Sequence, residues 1–313
     1  MGVTHTSTPV VSLGEGSTPL IEAPRLSQKL GVRVHLKCEG LNPTGSFKDR
    51  GMAVAVSRAA AAGVRTVVCA STGNTAASAA AYAARAGLRA VVLTPQGATA
   101  GPKRAQARAA GAQVLEVRGT FDDALRCCRE LAEEDGYALV NSLNPDRLEG
   151  QKTVAFELLD DLRGAPDVVS LPFGGGGNLC AVARGFAEAG ETPRLVAGEA
   201  VARPTTWASA IRIREPAHAA EVAELVDAGR AEIVSLEEDE IRMAWDDLAR
   251  LEGVFCEPAS AASVAALRRL SLSRDAAAVC ILTGHGLKDA AAVDEGSPVV
   301  VEPTLAAVLE AIS

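Results

Sequence analysis

The sequence is poor in aromatic residues and has no surplus of positive charge. Only 3% of its 313 residues are Phe, Trp or Tyr, and 39 acidic residues outnumber 31 Lys and Arg residues, which gives a formal net charge of -8. Proteins that bind nucleic acids need a positive surface for phosphates and rings that stack on bases. We therefore expect no nucleic-acid partner.

The chain also lacks the patterns that indicate membranes or metal ions. No apolar run reaches the roughly 18 to 20 residues that cross a bilayer, and residues 1–6 have neither the basic flank nor the apolar stretch of an export signal. The seven cysteines include no Cys-x-x-Cys pair. We expect a cytoplasmic protein with reduced, buried thiols, no membrane contact and no metal site.

What the chain does contain is a regular alternation of β-rich and alanine-rich segments. The β-rich runs predict strands at residues 32–38, 66–69, 90–93, 113–117, 138–141, 167–171, 195–197, 232–234 and 278–282. The segments between them predict helices at residues 49–62, 76–86, 102–110, 121–134, 147–162, 178–189, 237–252 and 259–270. This alternation is typical of the α/β class, with parallel or mixed sheets flanked by helices.

The length of the chain predicts about two domains. Between Gly63 and Asn141, strand, helix and a glycine that ends the helix recur at regular intervals, which indicates one compact α/β unit. We expect residues 54–141 to form a smaller inserted domain, and residues 1–53 together with 142–313 to form a larger cofactor-binding domain. The active site would lie in the cleft between them.

One lysine stands between a polar turn and a helix. Residues 42–51 read NPTGSFKDRG, in which Pro43 and Gly45 predict a turn and a helix follows from Asp49. Lys48 would lie at the helix entrance, where N–H dipoles and neighbouring Arg50 disfavour its ammonium form. That environment makes a candidate nucleophile, although a solvated lysine in a first helical turn explains this motif equally well.

Two polar loops each join a predicted strand to a predicted helix. Residues 171–179 read LPFGGGGNL, and four consecutive glycines can turn their N–H groups toward a phosphate beside a helix start. The loop matches neither the P-loop nor the Gly-x-Gly-x-x-Gly fingerprint, and a flexible turn is the alternative. Residues 70–78 read ASTGNTAAS, whose hydroxyls, amide and N–H groups suit a carboxylate, with helix capping as the alternative.

Two further segments are polar where a predicted strand ends. Residues 141–153, NSLNPDRLEGQKT, carry Arg147 and Lys152 and are equally consistent with a site for a second dianion and with a solvated helix start. Residues 283–289, TGHGLKD, carry one histidine, for which we favour a structural role.

These segments together resemble the threonine synthase family, whose members are pyridoxal-phosphate enzymes of the tryptophan-synthase-like fold (fold type II). The similar segments are residues 14–20, 42–51, 71–84, 141–153, 209–213, 257–262 and 283–289. They occur in the order that the family has and span nearly the whole chain. The resemblance implies pyridoxal phosphate as cofactor, O-phosphohomoserine as a small phosphorylated amino-acid substrate, threonine and phosphate as products, and a homodimer.

The resemblance also implies roles in cofactor binding. Lys48 would be the catalytic residue that carries the cofactor covalently, and Phe47 would pack beside the cofactor ring. Asn74 would bond the phenolate oxygen of the ring, and Thr283 would meet its pyridine nitrogen. The cofactor phosphate would be held by Gly174, Gly175, Gly176, Gly177 and Asn178.

The resemblance also implies two groups of residues that bind the substrate. Its carboxylate would be bound by Ser71, Thr72 and Thr75. Its phosphate would be bound by Asn141, Ser142 and Arg147.

Departures from the family pattern keep other activities open. Gly175 and Gly176 stand where the family commonly has Asn and Ala, residues 213–216 read IREP instead of Ile-Gly-x-Pro, and the loop at 198–208 is shorter. The alternatives are a threonine or serine dehydratase and an enzyme that uses O-phosphoserine and resembles cysteate synthase, including one in a specialised amino-acid pathway. A cofactor-free binding protein descended from such an enzyme is a third.

Overall fold

The computed structural model describes residues 10–97, 101–293 and 298–312. Its strands are β1 (Leu20–Glu22), β2 (Arg33–Cys38), β3 (Thr66–Ala70), β4 (Arg89–Pro95), β5 (Gln113–Val117), β6 (Tyr137–Leu139), β7 (Val168–Pro172), β8 (Arg194–Ala200), β9 (Ala231–Leu236) and β10 (Ala277–Leu282). The first six residues, on which the expected absence of an export signal rests, lie outside this range.

The α-helices alternate with these strands along most of the chain. They are α1 (Pro24–Leu30), α2 (Lys48–Ala61), α3 (Asn74–Ala86), α4 (Pro102–Ala109), α5 (Phe121–Leu131), α6 (Pro145–Gln151), α7 (Thr153–Leu162), α8 (Gly177–Glu188), α9 (Ala219–Asp227), α10 (Glu238–Glu252), α11 (Ala262–Arg268) and α12 (Leu305–Ile312). Short 3-10 helices span Glu39–Leu41, Ser209–Ile211, Pro258–Ala261 and Gly286–Ala292. Within the described ranges, every helix is too short or too polar to cross a membrane.

The strands form two sheets. One has six strands in the order β1-β2-β10-β7-β8-β9, and the other has four in the order β5-β4-β3-β6. Neighbouring strands are parallel except for the antiparallel pair β1–β2. Parallel neighbours require crossover connections, which the helices supply. The predicted α/β class with parallel and mixed sheets is confirmed.

All nine predicted strands are present, whereas some helices differ from their prediction. The predicted helix at 147–162 is wrong as a single element, because Lys152 separates α6 from α7. At this break the hydroxyl of Thr153 donates to the carbonyl of Gly150 at 2.8 Å. The predicted helix at 259–270 is a 3-10 turn that continues into α11. The sequence pattern missed β1, α1, α9 and α12.

The helix that begins at Lys48 packs on the smaller sheet. Met52 and Val56 of α2 share one buried core with Val67 of β3, Tyr82 of α3 and Val92 of β4. The alanine-rich surfaces of α2 and α3 let the two helices pack closely. Strands β7 and β10 belong instead to the larger sheet. The start of α2 is therefore placed where the two sheets meet.

A buried network of charges connects α2 to the larger sheet. The guanidinium of Arg50 donates to both carboxylate oxygens of Glu39, each at 2.7 Å, and to those of Glu157 at 2.6 and 2.7 Å. Lys37 of β2 lies 2.9 Å from Glu157 as well. Burial acts to raise the pKa of Glu157, but the hydrogen bonds from Arg50 outweigh it and hold that pKa at about 2. These charges stay paired at neutral pH.

Two glycines allow α2 and α6 to cross in direct backbone contact. A Cβ at Gly51 would lie 2.5 Å from the carbonyl oxygen of Arg147, and a Cβ at Gly150 would overlap the carbonyl oxygen of Arg50. Real Cβ atoms do not approach backbone this closely, so a side chain at either position would push the helices apart. The placement of Arg147 on α6 relative to Arg50 on α2 depends on this crossing.

We predict that Gly150→Ala lowers the free energy of unfolding by about 1–3 kcal/mol, because the added methyl group overpacks the crossing. Gly101→Ala is the matched control, since Gly101 has an extended backbone and a Cβ added there would meet none of the described residues within 4 Å. Urea unfolding of the three proteins measures the effect. Equal stability of Gly150→Ala and the unsubstituted protein would contradict the crossing described above.

Candidate active site

The turn before Lys48 is fixed against the carboxyl end of β10. Gly45 adopts a φ of +85°, and its N–H donates to the carbonyl of Asn42 at 2.8 Å. Phe47 then donates its N–H to the carbonyl of Thr283 at 3.0 Å, and Ser46 pairs with Gly284 in an isolated antiparallel bridge. The first residue of α2 is consequently held at the edge of the larger sheet.

Asp49 fastens the same turn to helix α3, which packs on the smaller sheet. Its buried carboxylate accepts hydrogen bonds from the N–H and the hydroxyl of Thr44 and from the hydroxyl of Ser78, each at 2.6 Å. Burial raises the pKa of Asp49, although these three donors act in the opposite direction. The residue next to Lys48 thus fixes both the turn and the start of α2.

The amine of Lys48 lies in an environment that disfavours its charge. Burial and the positive charge of Arg147 lower its pKa to about 7, while Glu257 acts in the opposite direction. The Nζ atom lies 4.4 Å from the centroid of the Phe47 ring. A lysine with this pKa supplies a neutral, nucleophilic amine at physiological pH.

The arginine that acts on Lys48 is not the one that the sequence predicts. Arg50 is the nearer arginine along the chain, but its guanidinium is bound to Glu39 and Glu157 and is neutralised by them. Arg147, almost a hundred residues further along the chain, provides the positive charge instead. Sequence proximity is misleading here because α2 turns the side chain of Arg50 away from that of Lys48.

The loop after β3 contributes Asn74 at the start of α3. The Asn74 amide is buried and donates to both carboxylate oxygens of Glu257 at 3.0 Å. Its side-chain oxygen is buried without a hydrogen-bond partner within the described part of the chain. A buried polar atom without a partner is costly and is characteristic of a site that awaits a ligand.

The hydroxyls of the same loop border the N-terminus of α3. Ser71 accepts a hydrogen bond from the N–H of Gly73 at 3.0 Å, Thr75 is half-buried, and Thr72 is exposed. Gly73 precedes α3 and has no side chain to cap it. The N–H groups of the first turn and these hydroxyls together suit an anionic ligand such as a carboxylate.

The glycine loop forms a cradle between β7 and α8. Gly176 has a φ of +84°, and a Cβ there would lie 2.9 Å from the side chain of Val222. A Cβ at Gly174 would lie 3.2 Å from Ile213. Gly175 and Gly177 complete the loop, and the side-chain nitrogen of Asn178 is buried without a hydrogen-bond partner in the described ranges. Such a loop at the start of a helix presents N–H groups to a phosphate.

Thr283 directly follows β10 and is buried. Its hydroxyl lies 3.1 Å from the hydroxyl of Ser260, which also accepts from the N–H of Gly284 at 3.0 Å. The site therefore offers a neutral hydroxyl at this point rather than a carboxylate.

The segment after β6 brings a buried arginine into the site. Arg147 is 0% exposed, so the alternative of a solvated helix start is wrong for this residue. One of its terminal nitrogens donates to the carbonyl of Val140 at 2.8 Å, whereas Nε and the other terminal nitrogen have no partner within the described residues. Burial lowers the pKa of Arg147 to about 10, which still leaves it charged at pH 7. Unpaired donors on a buried cation suit an anion.

Asn141 and Ser142 occupy different positions in this segment. The Asn141 amide donates to the carbonyl of Ala70 at 2.8 Å and accepts from its N–H at 2.9 Å. These bonds hold the ends of β3 and β6 together, which favours a positioning role for Asn141. Ser142 is half-buried, and its carbonyl oxygen lies 2.9 Å from Nε2 of His218.

Two charged residues of the site are not predicted from the sequence. Glu257 is 1% exposed, and Lys103 of α4 lies 3.4 Å from its carboxylate. Lys103 also lies 3.5 Å from Asp289 and 3.3 Å from the hydroxyl of Ser209. Glu257 stands in a segment that resembles the family, which is a usable signal. Lys103 belongs to a polar helix with several basic residues, and nothing in its local sequence distinguishes it.

Comparison with known proteins identifies the family. The family model "Pyridoxal-phosphate dependent enzyme" matches residues 11–284. The threonine synthase of Halalkalibacterium halodurans is 45% identical over 302 residues, which cover 90% of this chain and 85% of the relative. That of Mycobacterium leprae is 47% identical and covers 89% and 84%. The chain belongs to the threonine synthase family of pyridoxal-phosphate dependent enzymes.

Solved structures share the fold of this threonine synthase family member. The L-serine ammonia-lyase of Rhizomucor miehei superposes with a TM-score of 0.79 and covers 90% of this chain and 97% of its own. Its sequence identity is 23%, so the likeness concerns the fold alone. The two-sheet arrangement is thus common to enzymes with different reactions.

The residues present fit pyridoxal phosphate. Lys48 supplies an amine of lowered pKa for an aldehyde, and the glycine loop supplies a cradle for a phosphate. The side-chain nitrogen of Asn178, which has no partner within the described residues, offers a donor to a bound phosphate. The cofactor predicted from the sequence is therefore consistent with the donor set of this site.

We predict that the rate at which the apoprotein takes up pyridoxal phosphate follows the neutral form of Lys48. With a pKa of about 7, the free amine increases from about a tenth of the molecules at pH 6 to about nine tenths at pH 8. Uptake followed by absorbance across this range should therefore rise and level off above pH 8.

Arg147→Gln tests the cause of that profile. Removing the positive charge raises the pKa of Lys48 and should move the profile to higher pH, whereas Arg58→Gln on the exposed side of α2 should leave it in place. A pH-independent rate, or an unmoved profile in Arg147→Gln, would show that Arg147 does not control the amine.

Proposed function

We propose that this protein converts O-phosphohomoserine and water to L-threonine and phosphate. The observation that supports the proposal is the buried guanidinium of Arg147, whose Nε and one terminal nitrogen have no partner among the described residues and would bind a second anion. An enzyme that acts on a phosphorylated amino acid needs one phosphate site for the cofactor and another for the substrate. Relatives named threonine synthase at 45–47% identity support the same reaction.

Each end of the substrate has a candidate partner. Ser71, Thr72 and Thr75 with the first turn of α3 would bind its carboxylate. Ser142 and Arg147 would bind its phosphate, with Asn141 holding the segment in place. These contacts would orient the carbon chain toward the amine of Lys48.

Lys48 is proposed to move the protons of the reaction. Bound pyridoxal phosphate supplies a ring that withdraws electrons from carbons next to the substrate's amino group. Nζ of Lys48, whose pKa is about 7, would remove the proton from Cα, release that proton to solvent so that the amine is neutral again, and then remove a proton from Cβ. The bond between Cγ and the phosphate oxygen breaks, and phosphate leaves with the electron pair. Water then adds its hydroxyl at Cβ, and protons return to Cα and Cγ.

Polar side chains would contact the cofactor ring, and the ring of Phe47 would pack beside it. One N–H of the Asn74 amide would donate to the phenolate oxygen of the ring, while the other N–H donates to Glu257, which holds the amide in place. Thr283 would face the pyridine nitrogen with a hydroxyl that is paired to Ser260. A neutral hydroxyl leaves that nitrogen largely unprotonated and makes the ring a weaker electron sink, so stabilisation of charge depends more on the phenolate side.

The domain boundaries, oligomeric state and location are also proposals. Residues 54–141 contain all strands of the smaller sheet, which supports their assignment as an inserted domain, although the core contacts of Met52 extend that unit into the start of α2. A cytoplasmic homodimer is proposed from the resemblance to the family. Light scattering on the purified protein measures its oligomeric state.

Assays of the purified protein test the reaction. We predict that it forms threonine and phosphate in equal amounts from O-phosphohomoserine, and that Lys48→Ala lowers the rate by roughly 10²–10⁴-fold or more because the base is lost. Lys29→Ala, at an exposed lysine on α1, should retain full activity. Rapid release of 2-oxobutanoate from threonine without phosphate release from O-phosphohomoserine would instead identify a dehydratase.

A further inference from the structure

His218 packs directly on the glycine loop. It precedes α9 and is 8% exposed, and its backbone N–H donates to the carbonyl of Gly175 at 3.1 Å. A Cβ at Gly177 would lie 3.2 Å from Cδ2 and 3.3 Å from Nε2 of the imidazole ring, and a Cβ at Gly176 would lie 3.2 Å from Cβ of His218. The ring therefore occupies the space that the glycines leave open at the start of α8.

Both nitrogens of this ring face hydrogen-bond acceptors. Nδ1 lies 3.1 Å from a carboxylate oxygen of Glu221, and Nε2 lies 2.9 Å from the carbonyl oxygen of Ser142. A carboxylate and a backbone carbonyl can only accept, and a neutral imidazole has only one N–H to donate. The doubly protonated ring is the one form that satisfies both contacts.

The charged groups around the ring come from α8 and α9. Burial acts to raise the pKa of Glu221, but hydrogen bonds from His218 and from Arg184 outweigh it and keep the pKa below its ordinary value. Burial raises the pKa of the Cys180 thiol to about 12, so that thiol is neutral. The Glu221 carboxylate thus places a negative charge beside the ring, whereas Arg184 and the positive end of α8 place positive charge near it.

We propose that His218 is a positioning residue that, as an imidazolium, joins the glycine loop to the Ser142 segment and adds positive charge to the site of the cofactor phosphate. The inference rests on the proposed role of that loop as a phosphate site. Because Ser142 belongs to the proposed site for the substrate phosphate, His218 connects the two anion sites through one ring. A phosphate dianion at the loop would in turn offset the opposing charge of the α8 terminus.

Nitrogen-15 NMR of the histidine rings tests the protonation state in the holoenzyme. We expect both ring nitrogens of His218 to carry protons at pH 7, with the resonances assigned by their loss in His218→Gln. A bare ring nitrogen would overturn the inference. The variant is needed only for assignment, and binding of the cofactor then separates a role at the phosphate site from a purely structural one.

Binding of pyridoxal phosphate tests the consequence for affinity. In a Lys48→Ala background, where no covalent bond forms, His218→Gln should raise the Kd for pyridoxal phosphate by about tenfold or more, since a charge-assisted contact is lost. The Kd for pyridoxal, which lacks the phosphate, should change less than about twofold. Glu221→Gln should act in the same direction without altering the packing of the ring, and His35→Gln on β2 is the matched control.

Two outcomes separate this inference from the proposed role of the loop. If Gly177→Val weakens binding of pyridoxal phosphate but His218→Gln and Glu221→Gln do not, the loop binds the phosphate and the inference about His218 is wrong. If Gly177→Val leaves the Kd unchanged, the loop is not the phosphate site and the proposal on which the inference rests fails as well. Equal losses for pyridoxal and pyridoxal phosphate in His218→Gln would also contradict it, because they indicate general damage.

Discussion

The constraint on which the rest of the site depends is the position of one half-buried lysine, Lys48, where the two sheets meet. The hydrogen bond from Phe47 to Thr283 fixes the entrance of α2 at the end of β10, and Asp49 fixes the same turn to Ser78 of α3. Low dielectric surroundings and Arg147 then destabilise the ammonium form of Lys48. Neither sheet alone could provide this environment, because α2 packs on one sheet and the turn before it is held by the other.

The protein bears a cost in stability at this site. Among the described residues, five of the nine buried side-chain atoms without a hydrogen-bond partner belong to Ser46, Asn74, Arg147 and Asn178 around the amine. Each unsatisfied buried group costs about 1–3 kcal/mol. The paired network of Arg50, Glu39 and Glu157 lies on the other side of α2 and satisfies its charges. Buried polar groups without hydrogen-bond partners at one site, in a fold that pairs its buried charges elsewhere, are expected for an active site.

Much of the fold could be predicted because its signals are local. The nine predicted strands have their own β-rich runs, and glycines such as Gly87 end helices by adopting a positive φ. Strand β1 has only three residues and exists through its pairing with β2, so no local pattern reveals it. The split between α6 and α7 falls at Lys152, inside a continuous helical pattern, so no local signal reveals it.

Residues of the candidate site could be predicted where they belong to a sequence motif. They could not be predicted where only tertiary contacts bring them to the site. The segments around Lys48, Asn74 and the glycine loop are recognisable in sequence. The contact of Glu257 with Lys103 joins residues over 150 positions apart, and the effect of Arg147 on Lys48 spans almost a hundred. His218 lacks a motif of its own, and its position against Gly177 becomes visible only when α8 and α9 are packed together.

Borohydride reduction of the holoenzyme followed by peptide mapping tests the central claim most directly. Reduction makes the bond between the cofactor and its lysine permanent, so the pyridoxyl mass marks the residue that carries it. The structure predicts this mass on the peptide that contains Lys48. Its appearance on Lys103 or Lys288, two other buried lysines near Glu257, or on no peptide at all, would contradict the account.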